Sequence, residues 1–189
     1  LIYNMPDIAR FNNDKIYSNG LITKKLEIPL KFIGSNIKEV IESKIARQIE
    51  GKCCIEGYIK PNSVKVITYS SGLIQQEKIL FEVTFECLIC LPVENMLVKC
   101  YAKNITKAGI RAELDETPTP LIIFIARDHH YKNPEYFSSI AENDPILIKI
   151  IGQRYELNDP AISVIAELVD NDKKQKKKPK KQPRLIIEN

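Results

Sequence analysis

The stretch Gly109–Ala126, GIRAELDETPTPLIIFIA, decides the fold. Its two ends are short extended runs, Gly109 to Leu114 and Leu121 to Ala126. In a strand, neighbouring side chains point to opposite faces. Ile110, Ala112 and Leu114 therefore share one face, and Arg111 and Glu113 share the other. In the second run Ile123 and Ile125 point inward and Phe124 points outward. Working outward, three more strand-like runs flank this pair: Met96 to Ile105, Ile146 to Gly152, and Ile162 to Leu168. A longer polar connection, His129 to Asn143, separates the third run from the fourth. It carries Tyr136 and Phe137 and has room for a short helix. Five short strands with the long connection after the third fit a five-stranded OB barrel. Closing the sheet removes its edges, which matters for a small domain rich in β-branched residues.

Upstream the pattern changes. Residues 22–29 (ITKKLEIP) read as a strand that stops at Pro29. Ser35 is placed to cap a helix, in which Ile37, Val40, Ile41, Ile45 and Ile49 form one apolar face and which Gly51 ends. Extended runs then follow at Ile55 to Ile59, Ser63 to Tyr69 and Lys78 to Leu91, the last stopping at Pro92. Pro61-Asn62 and Ser70-Ser71-Gly72 mark turns. Residues 22–92 thus read as a small α+β unit of strand, helix and antiparallel strands, and residues 93–170 as the all-β barrel. Residues 1–21 are an irregular N-terminal extension, with Asn12-Asn13-Asp14 and Asn19-Gly20 as turn signals. Residues 171–189 are a Lys-rich tail in which like charges and two prolines oppose packing.

The formal charge of +4 over 189 residues is unevenly placed. Seven lysines and Arg184 against Asp172 and Glu188 give residues 171–189 a charge of +6, leaving −2 for residues 1–170. Basic character therefore belongs to the tail and not to the body. The stretch Lys173 to Lys181 fits an import signal, a nucleic-acid arm or a solubilising run. Apolar residues make up 44% of the chain and Trp is absent, so Ile and Val must fill much of the core. No run reaches the ~18 apolar residues of a membrane span, and the first residues show no secretory pattern. Five cysteines without a secreted context read as reduced intracellular thiols.

Few residues suggest catalysis or metal binding. Cys87-x-x-Cys90 lies in an extended run, where positions three apart face opposite ways, and Cys53-Cys54 are adjacent. These read as small hydrophobes in strands, so neither a metal nor a cofactor is expected. His129 and His130 follow Asp128 at one strand exit, with no nucleophile motif or Gly-rich phosphate loop nearby, and read as a surface turn. A nuclease would need clustered carboxylates that the spacing does not offer.

Three stretches of the first unit carry a family resemblance: Glu50-Gly51-Lys52-Cys53, Ser71-Gly72-Leu73-Ile74-Gln75, and Val83 to Cys90 running into Leu91-Pro92. In the second unit they are Asn104 to Leu114, Phe124 to Arg127, Asn143-Asp144 and Ile162-Ser163-Val164. In this order and spacing they resemble the seventh-largest subunit of RNA polymerase II and its archaeal counterpart, the E-prime stalk protein, over residues 22–168. The sequence departs from the family in three places. Asn95 and Asn143 stand where the barrel commonly has Gly, and Arg111 stands where an aromatic ring usually projects. With a composition rich in Ile, Lys and Asn, such departures suit a divergent viral member.

The resemblance implies a non-catalytic stalk subunit of a DNA-directed RNA polymerase. Residues 22–92 would be a tip domain that docks on the polymerase core, and a second stalk subunit would pack across both units. The barrel would contact nascent single-stranded RNA. Localisation would be nuclear, or in a virion or viral factory. The expected docking residues are Gly72, Leu73, Ile74 and Gln75, at a hairpin end where exposed Leu73 and Ile74 call for a partner. The expected RNA face pairs Arg111 with Phe124, both able to stack on bases, and adds Lys99, Lys103, Lys107, Arg127 and Arg154 as phosphate contacts. A free-standing RNA-binding or translation-type module using the same barrel is the alternative. The α+β unit, which such a module does not need, discriminates the two.

Overall fold

The structure is a computed structural model, and it describes residues 16–130 and 134–169. The Lys-rich tail (171–189) and residues 1–15 of the N-terminal extension lie outside the described residues. The first part of the chain forms strand β1 (Tyr17–Pro29), helix α1 (Ile37–Ile49), and strands β2 (Cys53–Cys54), β3 (Gly57–Ile59), β4 (Lys65–Tyr69), β5 (Leu73–Gln75) and β6 (Lys78–Cys90). Strand β6 organises this sheet. It pairs antiparallel with β1 along its whole length, from Tyr17 opposite Cys90 to Pro29 opposite Lys78. Its other edge takes β5, β4 and β3 in turn. The strict alternation in β6 explains its role. Phe81, Val83, Phe85, Cys87 and Ile89 are buried on one face, against Ile41, Ile45 and Ile49 of α1 and the apolar residues of β1.

Several expectations for this region need correction. The first strand begins at Tyr17, so residues 17–21 belong to the sheet and not to an extension. Asn19-Gly20 is no turn: β6 runs on to Cys90 and gives this segment a pairing partner, and a Cβ on Gly20 would meet Ile89 at 2.1 Å. The N-cap of α1 is Asn36 rather than Ser35, and its carbonyl accepts from the Val40 N–H. The run from Ile55 to Ile59 is broken, because Ile55 and Glu56 form a tight turn between β2 and β3. Gly57 closes that turn at φ +131°, where a Cβ would lie 2.6 Å from the Cys90 carbonyl oxygen. Finally, Leu73–Gln75 is a strand on β6 and not a loop. The turn falls at Gln76-Glu77, with Gln76 at φ 54°.

The second part forms β7 (Leu97–Ile105), β8 (Gly109–Glu113), β9 (Leu121–Ala126), helix α2 (Pro134–Ser139), β10 (Pro145–Arg154) and β11 (Ile162–Leu168). These five strands close a barrel in the order β7-β8-β9-β11-β10 and back to β7. Every pair is antiparallel except β9 with β11, which is parallel. Fully buried Ala102, Ala112 and Ala166 leave room in the narrow interior for Ile123, Ile148 and Val164. The connection after β9 does carry a short helix, and its Phe137 is buried in the barrel core.

The two asparagines at positions where the resemblance leads us to expect glycine have left-handed backbones: Asn95 at φ 65° and Asn143 at φ 66°. Asn is among the non-Gly residues that tolerate this region best. Both positions start a strand pairing, with Asn95 N–H donating to Ile150 O at 2.8 Å and Asn143 N–H to Ala102 O at 2.6 Å. The substitutions thus keep the backbone that glycine would allow.

The sheet and the barrel are knitted together. Cys53, Tyr58 and Cys90 pack into the barrel's core. The loop after β10 exchanges two backbone bonds with β2, Cys53 N–H to Asp159 O and Asn158 N–H to Cys53 O, both 2.9 Å. Tyr17 Oη donates to Glu116 Oε2 at 2.6 Å, and Lys60 Nζ donates to Glu116 Oε1 at 2.9 Å while lying 4.4 Å from the centroid of the Tyr17 ring. Burial, with the Glu116 carboxylate beside it, raises the Tyr17 phenol far above its ordinary range.

Candidate nucleic-acid interface

Strand register builds one row of outward side chains across the barrel. Asn104 of β7 pairs with Arg111 of β8, Arg111 with Phe124 of β9, Phe124 with Ile165 of β11, and Ile165 with Gly152 of β10. Phe124 is 46% exposed and Ile165 50% exposed. Paired across β9 and β11, the two form an exposed apolar centre to the row. Gly152, with no atom within 4 Å of where a Cβ would sit, leaves the row open on the β10 side. A shallow groove of about 500 Å³ runs along this face, lined by Arg111, Phe124, Ile165, His129 and the β7–β8 hairpin.

The hairpin is held by Thr106, whose Oγ1 donates to Gly109 O at 3.0 Å and accepts from Gly109 N–H at 3.2 Å. Gly109 is needed there, since a Cβ would lie 2.4 Å from the Ile125 carbonyl oxygen. Lys107 sits exposed at the hairpin's tip. Arg127 leaves β9 beside it, with its N–H on the Ala108 carbonyl at 3.0 Å, and lays its guanidinium 4.9 Å from the centroid of the Phe137 ring. Arg111, Phe124, Lys107 and Arg127 are thus brought to one region.

The other expected contacts stand apart. Lys99 pairs with Leu147 across the β7–β10 seam. Lys103 Nζ donates to Asn143 Oδ1 at 3.1 Å. Arg154 pairs with Glu156 at 3.2 Å, both well exposed. Arg111 itself is engaged, with Nη2 2.8 Å from Glu113 Oε1. Sequence reasoning missed Ile165, Asn104 and Gly152. Alternation in ISVIAEL would have turned Ile165 outward, but only the parallel β9–β11 pairing puts it beside Phe124.

In the first sheet, Leu73 and Ile74 are 61% and 70% exposed. The expected docking residues therefore present apolar side chains from an edge strand. Gly72 precedes them at φ +84°, where a Cβ would meet Ile79 at 2.6 Å. Cys87 packs in the sheet's core and Cys90 in the barrel's, so the two face apart. Burial pushes their thiols up to about 11 and about 12.

No family model matches the chain. It is 27% identical to a putative DNA-directed RNA polymerase subunit of Acanthamoeba polyphaga mimivirus, over 76% of each chain. It is 23% identical to DNA-directed RNA polymerase II subunit 7 of Arabidopsis thaliana, over 72% of this chain and 84% of that one. It is 20% identical to DNA-directed RNA polymerase II subunit RPB7 of Glycine max, over 74% and 85%. The chain is a homologue of the seventh subunit of RNA polymerase II, and its relatives extend to a mimivirus protein.

Proposed function

We propose that the chain is a non-catalytic stalk subunit of a multisubunit DNA-directed RNA polymerase. Residues 22–92, now with residues 17–21 added as the start of β1, form its tip domain and dock on the polymerase core through Leu73 and Ile74. Residues 93–170 form an OB barrel that meets nascent single-stranded RNA along the Arg111–Phe124–Ile165 row. A second stalk subunit packs across both units, and the protein works in the nucleus or in a viral factory. The observation that carries this reading is the similarity to seventh subunits over about three-quarters of the chain, which spans both units. The strand order first-second-third-fifth-fourth, with the third and fifth parallel, supports the OB assignment. Affinity purification of the native protein, with identification of its partners by mass spectrometry, tests the proposal. Recovery of the large polymerase subunits is expected. Recovery of ribosomal or translation proteins without polymerase would instead favour a free-standing module.

A further inference from the structure

The groups around the aromatic row have an uneven charge pattern. Arg111 and Glu113 stand two residues apart on the outward face of β8 and are joined at 2.8 Å. Lys149 is joined to Glu167 at 3.0 Å on the neighbouring pair β10–β11, and Arg154 to Glu156 at 3.2 Å. Three cations on this exterior are thus each matched by a carboxylate of the same unit. Within the row, Arg111 has only uncharged companions: Asn104, Phe124, Ile165 and Gly152. A phosphate site needs an uncompensated cation, whereas a flat apolar surface beside a guanidinium plane suits the face of an unstacked base.

We propose that Glu113 is the specificity-determining residue of this face: by pairing with Arg111 it cancels the charge of the guanidinium in the groove that Arg111 lines with Phe124, so the row takes a nucleobase rather than a phosphate. This rests on the reading of the barrel face as an RNA interface. The ion pair is partly exposed, with 48% of the Arg111 side chain and 25% of the Glu113 side chain accessible, so it adds little to folding. Its effect lies in which part of the nucleotide Arg111 addresses. Removing the carboxylate would release Arg111 as a free cation.

The test is a fluorescence-anisotropy titration of the full chain with a labelled single-stranded oligouridylate at a series of KCl concentrations. Wild type sets the reference slope, to which the Lys-rich tail contributes equally in every variant. Glu113→Gln should bind more tightly at low salt, and its log–log salt slope should steepen by about 0.7, the value for one added phosphate contact on a single strand. Adding Arg111→Ala to Glu113→Gln should return the slope to the wild-type value. Binding by wild type and Glu113→Gln with equal slopes would overturn the inference while leaving the RNA face intact. Absence of binding by wild type and variant alike at low salt would overturn the RNA reading, and this inference with it.

Discussion

Arg111 and Phe124 are direct cross-strand partners on β8 and β9, projecting side by side from the outside of the barrel. Both line the same shallow groove at the centre of the strand row. Replacing both by alanine should weaken single-stranded RNA binding by about 1–3 kcal/mol for each base that stacks there. The Arg111 and Phe124 side chains both face solvent, so circular dichroism should show an unchanged fold. Affinity equal to wild type at low salt would reject this face.

Leu73 and Ile74 lie on a three-residue edge strand with most of their surface in water. Charge there costs the free protein little, but burying it in an interface would be expensive. Leu73→Asp with Ile74→Asp should therefore abolish co-purification with the polymerase core while leaving the thermal melt nearly unchanged. Retention of the core subunits would remove β5 from the docking surface.

Glu116 joins sheet and barrel by accepting from Tyr17 and Lys60 at once. Tyr17→Phe deletes one hydrogen bond to a charged group and should cost about 1.5–3 kcal/mol in urea unfolding. Lys60→Ala should cost less, because that ion pair is nearly one-third exposed on each side. Equal losses for the two variants would show that the phenol bond is not the dominant link.

The left-handed backbone at Asn95 separates two substitutions that look equally mild. Asn95→Gly should leave stability within about 0.5 kcal/mol of wild type, while Asn95→Val should cost about 1–2 kcal/mol or more. A tolerated valine would mean that this residue can leave the φ of 65° without disturbing the barrel.

Much of this architecture is legible in the chain itself. Alternation named the buried and exposed faces of β8 and β9, and the Ile37–Ile49 helix followed from its apolar spacing, because both depend only on local periodicity. The five barrel strands fell within one or two residues of expectation for the same reason. What periodicity cannot contain is pairing. β1 reaches back to Tyr17 only because β6 is long enough to partner it. The apparent loop at Leu73–Gln75 becomes a strand because β6 has a free edge there. The row on the barrel face likewise needed the tertiary structure. Local alternation was enough to turn Arg111 and Phe124 outward. The barrel's closure brought Ile165 beside them, because β11 meets β9 in parallel from far along the chain and no local rule encodes that register. Closure also placed Lys99 on a seam apart from the row, and the folded strand left Arg111 in reach of Glu113 rather than free.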